Sequence, residues 1–171
     1  SGHAGCTLVE RLISFGEFDL AEKYTNFLEM RHTNLVLLEK YRAFILYGKN
    51  KCVDALQLFK ETFNKIPNDQ SILNAILSIS INLKRRIDYS YIKLAEKSNN
   101  CKTLVLAAGV YAINGDYSNA RRCNLKAMYL SDDCENPAFN QYLGLNLQDK
   151  QEDSKQIKSV EKNTAVVLKN D

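Results

Sequence analysis

Tryptophan is absent, and the chain holds only 7 glycines and 2 prolines. Hairpins and sandwich turns consume Gly and Pro, so their scarcity argues against a strand-and-turn architecture. No stretch approaches the roughly 18 uninterrupted apolar residues of a membrane span. A strong charge of either sign is also missing: the net charge is +3, far from the basic stripe of a dedicated nucleic-acid binder.

Cysteine chemistry is sparse too. The five cysteines, Cys6, Cys52, Cys101, Cys123 and Cys134, are odd in number and include no C-x-x-C pair. His3 and His32 stand apart from any cysteine cluster, so a zinc site is not expected. The cysteines are expected as free thiols in a reducing compartment. No G-x-S-x-G, G-x-x-x-x-G-K-[ST] or H-E-x-x-H motif occurs. His32 falls in a polar turn and reads as a solvated loop residue. The chain is therefore expected to be non-enzymatic and to take no cofactor or metal.

Helical periodicity is what the sequence does have. Leu8, Leu12 and Phe15 share one face; so do Leu35, Leu38, Tyr41 and Ile45, then Leu56, Phe59 and Phe63, then Ile72, Ile76, Ile79 and Leu83. Spacings of three, four and seven recur, with no sustained period of two. Eight helices of about a dozen residues are predicted, joined by connections short enough to make sequential helices antiparallel neighbours.

The helical unit repeats. GEFDLAEKY from Gly16 aligns with GDYSNARRC from Gly115, and Ala55 stands 34 residues after Ala21. Asn50 and Cys52 replace the turn Gly and aromatic in the second unit. The unit around Ile92 and Ala95 is degenerate, and Leu143-Gly144 opens a fifth. These residues resemble the tetratricopeptide repeat family, whose paired helices repeat every ~34 residues. Gly115-x-Tyr117-x-x-Ala120 with Ala127, Gly16-x-Phe18-x-x-Ala21, and Ala55 with Phe59 and Pro67 carry the likeness, over roughly residues 5–150.

The resemblance implies an all-α fold, an α-α superhelix of about four to five helical hairpins. Ala120 is then expected where the two helices of its unit cross, and Ala127 where the helix meets the following unit. One methyl lets backbones approach to the short end of the 8–10 Å interaxial range. The segment 151–171 carries a thin stripe of Ile157, Val160, Val167 and Leu168 and reads as a polar capping helix or a flexible tail.

The family likeness also implies a concave face lined by the first helix of each unit. Mapped residue by residue, that face takes Lys40, Phe44 and Tyr47, then Leu73, Asn74 and Leu77, then Lys102 and Val105, then Tyr142. An amphipathic helix or extended peptide of a protein partner would fit such a mixed surface. The expected function is a protein-binding scaffold, with bacterial secretion or pilus assembly as one setting. The alternatives are the sensory half of a transcriptional regulator and an RNA-binding helical-repeat protein, the latter raised by Arg85-Arg86 and Arg121-Arg122.

Some family members clamp a peptide's C-terminal carboxylate. Lys40, Asn74 and Lys102 match three of those five positions, whereas Phe44 and Leu106 replace an Asn and the Arg that would grip bidentately. The expected compartment is the cytoplasm; a periplasmic or membrane-anchored origin stays open, the latter through Ala4-Gly5-Cys6. Because the sequence enters a helix abruptly, it is expected to be a piece or processed form of a longer protein.

Overall fold

A computed structural model describes residues 2–31 and 33–145. His32 and the expected capping segment 151–171 lie outside them. The run expected as one repeat domain over 5–150 divides at Arg85–Arg86 into two compact units. Within each, consecutive helices pack on one another, and no strand occurs among the described residues.

The first unit holds α1 (Gly2–Ser14), α2 (Phe18–Met30), α3 (Leu35–Gly48), α4 (Cys52–Lys65) and α5 (Gln70–Asn82). Its core runs through Val9, Ala21, Leu38, Tyr41, Phe59, Ile72 and Ile76, all buried. The second unit holds α6 (Tyr89–Glu96), α7 (Cys101–Ile113), α8 (Tyr117–Leu130), a 3₁₀ turn (Asp132–Cys134) and α9 (Pro137–Tyr142). Leu104, Ala107, Tyr111, Ala120, Ala127 and Leu143 fill its core.

The repeat is written in the helix ends more clearly than in the side chains. The odd-numbered helices after α1 all start on an Asx residue. Asn34, Asp69, Asn100 and Asn136 accept from the amides of Leu37, Ile72, Thr103 and Phe139, satisfying donors that the first helical turn leaves unpaired.

All five odd-numbered helices also stop the same way. Gly16, Asn50, Lys84, Gly115 and Gly144 have positive φ. Each donates its amide three residues back, and the next residue donates five residues back, as in Gly16 to Ile13 with Glu17 to Leu12, or Lys84 to Ile81 with Arg85 to Ser80. That is the Schellman arrangement, which closes the last carbonyls and turns the chain sharply. Gly48 is the last residue of α3, two positions before the left-handed Asn50. A Cβ there would stand 2.1 Å from the Phe18 ring, so its smallness serves close packing.

Ala21, Ala55 and Ala120 each follow the left-handed residue by five positions, and all three are 0% exposed. The methyl side chains therefore occupy equivalent places at the hairpin crossings. The third hairpin differs because α6 starts later after its turn, on the side-chain cap of Asp88, and is only 8 residues long. Five positions after Lys84 stands Tyr89, the first residue of α6, so the place that Ala takes elsewhere falls there before the first helical turn is complete.

The free-thiol expectation needs correction for two of the five cysteines. Cys101 and Cys134 form a disulfide, with Cα atoms 6.0 Å apart and a sequence separation of 33. The α7–α8 hairpin returns the chain to the start of α7, which brings distant cysteines within bonding geometry. Cys6, Cys52 and Cys123 are free.

Candidate functional site

In the first unit, α3 presents Lys40, Phe44 and Tyr47 at successive turns, all partly accessible. The accessible positions along the body of α5 are Asn74, Ser78 and Ile81, at the same spacing. Side-chain bonds draw the two stripes together. Lys40 Nζ donates to Asp69 Oδ2 at 2.6 Å. At the other end, the Tyr47 hydroxyl lies 3.4 Å from Ser78 Oγ and accepts from Asn82 Nδ2. Between these ties, Phe44 meets Phe59 edge to face, with ring centroids 4.8 Å apart.

Lys40 is thus already paired with a carboxylate. Burial alone would raise the Asp69 carboxyl, but the hydrogen bonds from Lys40, Ser71 and the Ile72 amide outweigh it and hold the group below the usual aspartate value. The carboxylate-clamp reading needs that ammonium for an incoming peptide, so a clamp would have to displace Asp69 first. Leu73 and Leu77 are buried and offer no surface. Ser78, which sequence reasoning missed, stands where they were expected.

One further link joins α3 to α1. Tyr41 donates its hydroxyl to Glu10 Oε1 at 2.8 Å. Burial and that carboxylate push the phenol far above its ordinary pKa.

The other expected contact residues lie in the second unit. Lys102 is exposed and Val105 partly exposed on α7. Tyr142 is exposed and belongs to an aromatic group. Its hydroxyl lies 3.3 Å from that of Tyr117, and its ring stacks with Phe139. A cavity of about 400 Å³ opens beside this group, walled by Leu125 and Met128 of α8 and by Glu135, Pro137, Asn140 and Leu145. Among the described residues, Glu135 is the one titratable group lining it.

Compared with protein-family models, with curated proteins and with solved structures, the chain matches none.

The arginines that raised nucleic-acid binding are partly spoken for. Arg121 Nε donates to the Leu143 carbonyl at 2.7 Å, and Arg122 pairs with Glu96 at 2.5 Å. Glu96 also accepts from the Tyr111 hydroxyl at 2.6 Å. Burial opposes its charge, yet Tyr111 and Arg122 together keep its carboxyl below the usual glutamate value. Among the described residues no cluster of His, Cys, Asp and Glu could hold a metal ion, and no helix is long and apolar enough to cross a membrane.

Proposed function

We propose that this chain is a tetratricopeptide-like repeat module that binds a helical or extended segment of another protein along the first unit's α3 and α5. The observation that carries this reading is the pair of accessible stripes, Lys40–Phe44–Tyr47 and Asn74–Ser78–Ile81, tied to one another by side-chain bonds. Phe44 supplies an apolar anchor held on Phe59, and Tyr47, Asn74 and Ser78 supply hydrogen-bonding groups around it. A few anchors ringed by polar contacts are what peptide grooves need. The family assignment is supported by the five matching turns and by the equivalent alanines.

The Cys101–Cys134 bond favours an oxidising compartment over the cytoplasm expected from free thiols.

The test is a displayed peptide library selected against the full chain. Binders should lose about tenfold in affinity, ~1.4 kcal/mol, on Asn74→Ala or Phe44→Ala and keep it on Gln57→Ala of α4. A set of binders indifferent to Asn74 and Phe44 overturns the assignment of this face.

A further inference from the structure

The second unit shows what normally covers one side of an even-numbered helix. On α8, Cys123 is buried, and Lys126 donates to the carbonyls of Glu96 and Ser98 at the end of α6. Arg122 pairs with Glu96 from the same side. The face of α8 toward the preceding hairpin is therefore closed by that hairpin's second helix.

Aligning Ala120 with Ala21 places Cys123 on Tyr24 and Lys126 on Phe27. On α2 this same face is open and apolar. Leu20 is 43% exposed, Tyr24 39% and Phe27 43%. Arg31 extends the row and lies over the Phe27 ring, 4.4 Å from its centroid. The α2 side chains toward the rest of the unit are engaged differently: Ala21, Thr25 and Leu28 are buried, Glu22 binds Lys49, and Glu29 binds Arg42. A contiguous apolar row of this kind marks a contact surface.

The charges on the row name its occupant. Glu17 begins it and Arg31 ends it, with both side chains exposed. Fourteen residues of helix separate them by about 21 Å, so they cannot meet within one α2. Under a two-fold axis midway between Tyr24 and Phe27, Arg31 of one copy lies opposite Leu20 of the other, about 4.5 Å along the helix from Glu17, so the two charges come within reach of each other twice. The same axis sets Tyr24 against Phe27 of the second copy and Leu20 against the stem of Arg31. A row that is its own complement under a two-fold is what an isologous contact requires. We propose that two copies of this chain associate through antiparallel packing of their α2 helices, each supplying the helix that α6 supplies to α8.

One helix pair is a small contact, at the low end of specific interfaces, so the dimer is weak and dependent on concentration. Sedimentation equilibrium of the full chain from micromolar to millimolar protein is the test. The average mass should rise towards twice the monomer value, and Phe27→Lys, on an exposed position, should return it to monomer with an unchanged circular-dichroism melt. Arg31→Glu sets two acids together and should weaken association about tenfold, while Glu17→Arg with Arg31→Glu should restore it. A chain that stays monomeric throughout, a dimer indifferent to Phe27→Lys, or a charge swap that fails to rescue Arg31→Glu overturns the proposal.

Discussion

Lys40 Nζ lies 2.6 Å from Asp69 Oδ2, while the other Asp69 oxygen accepts the amides of Ser71 and Ile72. One carboxylate thus starts α5 and fastens it to α3. Asp69→Ala removes both functions and should cost about 1–2 kcal/mol by urea denaturation, whereas Asp69→Asn keeps the cap acceptor and should cost less. The carboxyl is held below its ordinary value when folded, as is that of Glu96. A depressed carboxylate contributes stability above its unfolded pKa and loses it as pH falls through the folded value. The melting temperature should therefore hold from neutrality to about pH 5 and fall below about pH 4, more gently in an Asp69→Asn, Glu96→Gln double variant. An equally steep acid limb in that variant would count against these two groups as its source.

The disulfide makes a counting prediction. Without reductant, the folded protein should expose one reactive thiol, Cys52, because Cys6 and Cys123 are buried. Burial also raises the thiols of Cys6 and Cys123, the latter to about 11, which keeps them protonated. Denaturant alone should reveal the three free cysteines, and denaturant with reductant all five. Closing a loop across a separation of 33 stabilises by about 3–4 kcal/mol in the chain-entropy account, so reduction should lower the melting temperature of the second unit. Five thiols titrating in denaturant alone would exclude the bond.

Much of the hairpin plan was legible because it depends on residue type. Gly16 and Gly115 mark left-handed turns that other residues resist, and Ala21, Ala55 and Ala120 mark crossings that larger side chains would fill. The left-handed conformation of Lys84 was not legible, since lysine seldom adopts positive φ and nothing in its type announces it. The disulfide was hidden because pairing depends on how far α8 carries the chain back. On the candidate face, α5 is apolar almost all round, so the pattern of its aliphatics could not tell core from surface. Among its sparse polar residues Asn74 and Ser78 lie on the accessible side, whereas Ser80 is buried with its hydroxyl donated to the Ile76 carbonyl, so residue type gave only part of the signal.

The crossing alanines allow a steric test. Ala120→Leu inserts three carbons at a site with no exposed surface and should cost about 1–3 kcal/mol. Ser118→Leu, on the exposed side of α8, should change stability by no more than about 0.5 kcal/mol. Equal melting temperatures for the two variants would mean that the backbones do not approach closely at Ala120.

The shared turn geometry makes opposite predictions at two equivalent positions. Gly115 has φ +78, and nothing lies within 4 Å of where a Cβ would stand, so Gly115→Ala meets no neighbour and its cost is backbone strain alone. That strain should be about 1 kcal/mol. Lys84 already bears such strain at φ +50, so Lys84→Gly should relieve it and stabilise by about 0.5–1 kcal/mol, less whatever the added freedom of the unfolded chain takes back. Denaturation midpoints moving in opposite directions would mark both residues as members of one repeated turn. A destabilised Lys84→Gly would mean that the lysine side chain contributes more at that turn than its backbone conformation costs, and the equivalence of the third turn with the others would fail.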